Sequence, residues 1–246
     1  MKFILAAMLA TASLFAAAGE IKVVSTIAAR STLEELKWVF ERDTPHKVNL
    51  VFGTAIPLKR RIDGGETFDV TILTPGLVDE LSKAGKVDDA SKVDFARSGL
   101  GLAGRTDAPK PDISTVEALK RTLASSGGIA YSKEGQSGLF AAKLIERLGL
   151  TDALKPRTIL DTRPAGSLMV ITEGKVDYGF ALVSEILANP GVAFIGPMPA
   201  ELQSYMVLTA GVSSSAKDAA AARAFIDFLR SPDARAVMKD KGMEGL

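Results

Sequence analysis

Three short segments of small and hydroxyl residues carry the chemistry of this chain: Ser25 to Ser31, Gly53-Thr54-Ala55 and Gly135-Gln136-Ser137-Gly138. Each follows a β-branched run and precedes a helical pattern, so each falls where a strand ends and a helix begins. The first turn of a helix has backbone N–H groups without intrahelical partners and the positive end of the helix dipole. A turn of this kind holds the oxygen of an anion without a cationic side chain. Ser25, Thr26, Thr54 and Ser137 offer hydroxyls, and Ala55 offers a backbone amide. The plainer alternative for Thr54 and Ser137 is helix capping. Three such turns opening on one cleft point instead to a ligand site. A fourth segment, Asp161-Thr162-Arg163-Pro164-Ala165-Gly166, adds Arg163, whose planar guanidinium can grip a carboxylate or phosphonate with two parallel N–H bonds. The alternative is a surface arginine paired with Asp161.

Other reactive residues are placed less favourably. The single histidine, His46, lies in a loop feeding the amino end of a strand, away from the edge where ligands of open α/β sheets sit. Asp69 and Asp177 precede strands and read as turn caps. Trp38 and Phe40 read as packing residues of an amphipathic helix, and Lys59-Arg60-Arg61 as a solvated helix face. With one histidine and no cysteine the chain has few parts for a catalytic triad or a metal site, so no cofactor and no metal are expected.

The elements that must position these turns alternate strand and helix, the pattern of parallel βαβ units. Strands are expected at Ile21 to Val24, Val48 to Phe52 and Phe68 to Leu73, each followed by a helix. Ser98 to Gly104 then reads as an extended crossing into a second lobe, which opens on a capping box at Ser114 and Glu117. Further alternation follows, with a helix capped by Ser137. Tyr205 to Val212 reads as the return crossing and Ala216 to Arg230 as a helix packing on the first lobe. Lobe 1 is therefore residues 19–98 plus 205–246, and lobe 2 is residues 99–204.

Ahead of the first strand, Met1-Lys2 precedes an apolar run from Phe3 to Phe15 and then Ala16-Ala17-Ala18-Gly19. A short positive start, an apolar stretch too short to span a bilayer and small residues before the cut describe a secretory signal peptide of residues 1–18. Without cysteine the cleaved chain cannot be lipidated there, so a free periplasmic protein is expected. Lys2 leaves with the leader, and the remaining 29 basic residues balance 29 acidic ones. No net field draws nucleic acid or an anionic membrane.

The segment VNLVFGTAIPLKRRIDGG at Val48 to Gly65, the phrase FDVTILTP at Phe68 to Pro75 and the closing AFIDFLRSPDARAVMKDKG at Ala224 to Gly242 resemble the substrate-binding proteins of bacterial ABC importers, in their molybdate-binding branch. The resemblance spans essentially the whole mature chain. It implies a type II periplasmic binding protein fold of two α/β lobes, each a mixed, mostly parallel sheet flanked by helices, with two crossing strands as hinge. It also implies a monomer that captures a small anion between the lobes and delivers it to a membrane permease. Carried over by position, the family's contacts fall on Ser25 or Thr26, on Thr54 and Ala55, on the amides of Gln136-Ser137, and near Arg163-Pro164. Leu182 stands where the molybdate proteins use a tyrosine, and Ala55 and Ile56 stand where hydroxyls are usual. Two further readings stay open: molybdate or tungstate binding, and an enzyme on the same scaffold, such as an isomerase of unsaturated di- or tricarboxylic acids. The enzyme would need a proton-transferring base in the cleft, with Lys59, Glu134 and Glu185 available.

Amino-terminal sequencing of protein secreted by the native host is expected to begin at Gly19. Retention of Met1 to Phe15 would remove the periplasmic assignment.

Overall fold

The computed structural model describes residues 18–246; the expected leader lies outside the described residues except for Ala18. Three βα units open the chain: β1 (Glu20–Thr26) with α1 (Arg30–Asp43), β2 (Lys47–Gly53) with α2 (Ala55–Asp63), and β3 (Val70–Leu73) with α3 (Pro75–Lys83). The long β4 (Val93–Gly104) leads to α4 (Val116–Ser125), β5 (Ile129–Ser132), α5 (Gln136–Arg147), α6 (Thr151–Leu154), β6 (Thr158–Asp161), α7 (Gly166–Thr172), β7 (Tyr178–Leu182), α8 (Val183–Leu187) and β8 (Ala193–Pro197). The chain closes with β9 (Tyr205–Val212), α9 (Ala219–Leu229), α10 (Pro232–Asp240) and β10 (Glu244–Gly245).

These strands form one continuous path, β2-β1-β3-β9-β4-β7-β5-β6, with β8 and β10 pairing onto β4. Parallel pairing holds β2, β1 and β3 together in the first half and β7, β5 and β6 in the second. Antiparallel β4 joins them, pairing with β9 through Val93 to Gly99 and with β7 through Leu100 to Gly104. The fold is the mixed α/β class expected, but the sheet is not mostly parallel: β4 pairs antiparallel with β7, β8, β9 and β10, and β3 with β9, because β9 runs against the parallel strands of the first half and β4 against those of the second. The return passes just ahead of β9, where the Leu100 amide donates to the carbonyl of Ser204 at 2.9 Å and to the Gln203 side chain at 2.9 Å. Tyr205 to Val212 itself pairs only with β3 and β4, so it belongs to the first half and is not the crossing.

Each half has its own core. On α1 the spacing of Leu33, Leu36 and Phe40 makes the buried stripe. Phe40 meets Phe225 of α9 edge to face at 5.1 Å, so the returning helix seals the first half. Trp38 departs from expectation: it is 71% exposed. Two residues beyond Leu36 is a rotation of roughly 200° on a helix, which aims it away from the stripe. The expected capping box at Ser114 is also displaced by one residue, because Thr115 caps α4 by accepting from the Ala118 amide.

Replacing Phe225, which is fully buried, by alanine is expected to cost about 3–5 kcal/mol. Urea denaturation should show a lower midpoint with little change in slope; an unchanged midpoint would contradict the place given to α9 in the core.

Candidate functional site

Parallel strands that start at one level end at one level, and here the ends carry the turns singled out above. In the first half Thr26 pairs with Gly53, the residue before Thr54, and Ser25 pairs with Ile72, two residues before Thr74. Neighbouring strands lie ~4.8 Å apart, so the turns at Thr26, Thr54 and Thr74 form one row about 10 Å long.

Within that row the hydroxyls differ in availability. Ser25 is fully buried and donates to the Thr26 carbonyl at 3.2 Å, and Thr26 is buried under the 3₁₀ turn Ile27–Ala29. Thr54 is exposed and is the N-cap of α2, yet its hydroxyl caps nothing. The amide three residues on, which a Thr cap commonly takes, is missing because that residue is Pro57. Its hydroxyl and the first-turn amides of Ala55 and Ile56 thus face outward together. Thr74, the N-cap of α3, also has an unused hydroxyl, although there proline is the first helical residue, Pro75, and leaves the amide of Leu77 in place.

In the second half Ser132 and Asp161 end β5 and β6 at one level. The Ser132 hydroxyl accepts from the Gly135 amide at 2.9 Å, folding the chain tightly into α5. A Cβ on Gly138 would fall 1.7 Å from the Ser132 carbonyl oxygen, so only glycine lets the helix start this close to the strand. Ser137, expected as the cap, is the second residue inside α5; Gly135 takes the cap position, and the Ser137 hydroxyl, 8% exposed, makes no capping bond.

Two observations bring the halves together. Leu182, at the end of β7, belongs to the first-half core with Ala28 and Ala29. Phe140, in the second turn of α5, packs against the cores of both halves. Ser184 fastens this seam: its hydroxyl donates to the Ala28 carbonyl at 3.1 Å, and its amide donates to the Ser98 hydroxyl at 3.2 Å. The Ser25–Ala29 turn, the row it shares with Thr54, and the start of α5 therefore adjoin one seam. Arg163 and Pro164 stand apart from it. They follow β6, the outermost strand of the second half, two strands from β7. The Arg163 guanidinium is 43% exposed and already filled: it donates to Asp161 at 2.5 Å and to Glu173 at 3.0 Å. Its hydrogen bond to Asp161 also holds the Asp161 carboxyl below the usual range. Pro164 is exposed, and the next residue, Ala165, has a left-handed φ of 53°.

Of the three candidate bases, Lys59 is held between Asp63 and Glu80, and Glu134 is exposed. Glu185 sits two residues into α8, beside the seam. Burial pushes its pKa up, opposed by the Leu182 amide, which donates to it at 3.1 Å. Asp69 and Asp177 do not cap local turns as expected but accept from distant amides, Asp69 from Lys22 and Lys217 and Asp177 from Gly127, so they tie separate segments together; His46 is buried at the opposite end of β1 and β2. Among the described residues no cluster of histidine, cysteine and carboxylate groups could hold a metal, and no helix is long and apolar enough to cross a membrane. Of two surface depressions of about 250 and 320 Å³, one lies beside α9, away from the seam, and the other lies between α1 and β2, where Arg30 and Phe52 border the Thr26–Thr54 row.

Residues 21–244 match the model of the bacterial extracellular solute-binding proteins. The chain is similar to an aconitate isomerase of Pseudomonas sp., with 28% identity across 90% of this chain and 86% of the relative. It is similar to a molybdate-binding protein of Azotobacter vinelandii at 27% identity, across 92% of this chain and 90% of that protein. Among solved structures it superposes on the substrate-binding domain of a putative molybdenum ABC transporter from Clostridium difficile with a TM-score of 0.78, at 17% identity and over 93% and 100% of the two chains.

The raised pKa of Glu185 has a stability consequence. A carboxyl whose folded pKa lies above its unfolded value gains protons on folding, so stability falls as pH rises from the unfolded toward the folded pKa. Glu185→Gln keeps an acceptor for the Leu182 amide and removes the buried charge. It should therefore be more stable than the wild type at pH 7, with the advantage gone near pH 4, about the ordinary Glu pKa. Denaturation showing the variant weaker at both pH values would contradict a half-buried, desolvated carboxyl.

Proposed function

Because the chain belongs to the bacterial extracellular solute-binding proteins, we propose that it captures a small anion in the cleft along the seam between its halves and hands it to an ABC permease. Residues 19–98 with 205–246 and residues 99–204 act as the two lobes, closing about β4 and the Gln203-Ser204 crossing. The observation that carries this reading is the pair of unspent donor sets: the Thr54 hydroxyl with the Ala55 and Ile56 amides on one side, and the Ser137 hydroxyl with the Gln136 amide on the other. Closure that brings both sets to one ligand is favoured by the contacts the ligand adds. Thr26 reaches the ligand through the same row, and the fully buried Ser25 supports it from behind. Arg163 and Pro164 form the outer wall. The guanidinium takes a ligand carboxylate only by giving up Asp161 or Glu173, so neutral donors carry most of the affinity. Secretion by a cleaved, unlipidated leader places this activity in the periplasm.

A second reading follows from the aconitate isomerase similarity together with Glu185. An unsaturated tricarboxylate shifts its double bond when one group removes an allylic proton and a proton returns at another carbon of the same ligand. A partly buried carboxyl beside the seam with a raised pKa suits that exchange.

One experiment separates the two. A thermal-shift screen of inorganic oxyanions and di- and tricarboxylates identifies the ligand, calorimetry measures its affinity, and proton NMR follows it for conversion. Thr54→Val and Ser137→Ala should each weaken binding by about 10- to 100-fold, as expected for one hydrogen bond to a charged group. Arg163→Ala should cost less than either. Unchanged affinity in both hydroxyl variants would overturn the site. Conversion of the ligand that Glu185→Gln abolishes while binding persists would establish the enzyme.

A further inference from the structure

We propose that the α-amino group created by cleavage between Ala18 and Gly19 is itself a structural group, docked in a receptor formed by His46, Lys47 and Asp218. The start of the chain is held on three sides. The Gly19 nitrogen donates to Nδ1 of His46 at 3.2 Å. Its carbonyl accepts from the Lys47 amide at 2.8 Å, extending the β1–β2 ladder by one bond. On the third side stands Asp218, because a Cβ on Gly19 would fall 2.4 Å from its Oδ2. That position is a bond angle away from the nitrogen, which puts Oδ2 within roughly 5 Å of the Gly19 nitrogen.

The receptor is built from fixed parts. His46 is buried and stacked on Phe40, with ring centroids 6.1 Å apart. Asp218 is the N-cap of α9, its Oδ1 accepting from the Ala221 amide at 2.9 Å, which leaves Oδ2 turned toward Gly19. A peptide nitrogen at residue 19 has one hydrogen to give, and His46 takes it. A free ammonium has three and a positive charge, so it keeps the His46 bond and gains the Asp218 carboxylate as a second, charged partner.

Two separate requirements then meet at one bond. Small residues before the cut suit the peptidase. Glycine after the cut suits the folded protein, since any side chain there would displace Asp218. The receptor joins the starts of β1, β2 and α9, and α9 is the helix that seals the first half. Cleavage thus tightens the mature protein relative to its precursor, and the lone histidine is assigned to the chain terminus and not to the ligand.

The test uses the mature chain, Gly19 to Leu246, released without extra residues from a fusion, in free-amine and Nα-acetylated forms, each also as Asp218→Asn. Asparagine caps a helix as well as aspartate, so α9 keeps its start. The acetylated protein should melt about 2–4 °C below the free amine, and Asp218→Asn should erase that difference. Free and acetylated forms that melt together, or a difference that persists in Asp218→Asn, would overturn the proposal. The site of cleavage in the cell is decided separately by the amino-terminal sequence, so an unexpected cut and an undocked amine are distinguishable.

Discussion

The hydroxyl of Ser184 donates to the carbonyl of Ala28 across 3.1 Å, and the amide of the same residue donates to Ser98 at 3.2 Å. Those two bonds fix where the second half of the sheet ends against the first. Leu182, immediately before α8, is drawn into the core of the opposite half, and Phe140 fills the angle between the two cores. Because parallel strands in each half end at one level, fixing this one junction also fixes the two rows of helix starts that border it. The hydroxyls and amides at Thr54 and Ser137 need no scaffold of their own. Their positions follow from strand register and from one seam.

The electrostatics of the seam are mild. Among the described residues, Arg30 is paired with Glu34 and Lys59 with Asp63 and Glu80, whereas Lys133, two residues ahead of the α5 turn, is exposed and makes no ion pair; Arg163, farther off, is held by Asp161 and Glu173. At the proposed site an anion would meet oriented dipoles from the helix starts, with Lys133 beside α5 the one unpaired cation among these. Donors of this kind are held rigid by the helices that carry them, so closing on a ligand requires little rearrangement of the site itself. Small differences in which donors point inward then decide the ligand. Ala55 and the 53% exposed Ile56 put apolar side chains where the resemblance to the molybdate-binding branch implies polar ones, whereas Leu182 is closed off in the first-half core. A ligand with some hydrocarbon between its charged groups would suit the proposed site.

Much of the fold was legible because it rests on periodicity. Leu33, Leu36 and Phe40 announce α1, and the short apolar runs at Val48 and Tyr178 announce strands that the structure contains. Trp38 was misplaced because membership of an amphipathic helix does not say which face a residue takes. At the site, the turn at Thr54 could be found from residue types alone, and Pro57 explains after the fact why its hydroxyl is idle. The direction of Ser25 could not be read, since a strand residue points to either face depending on register. Nor could the filling of Arg163 by Glu173, ten residues away on the far side of α7. The burial of Glu185 depends on β7 lying against β4, a pairing between segments far apart in the chain.

The central claim is that neutral donors on both sides of the seam hold the anion. Amide chemical shifts of ¹⁵N-labelled protein, followed during titration with the ligand from the screen, test it most directly. The account predicts that the largest shifts fall on Ala55 and Ile56 and on Gln136 and Ser137, moving together at one affinity. Shifts confined to Arg163 to Gly166, or to the depression beside α9, with the Thr54 and Ser137 turns silent, would contradict it.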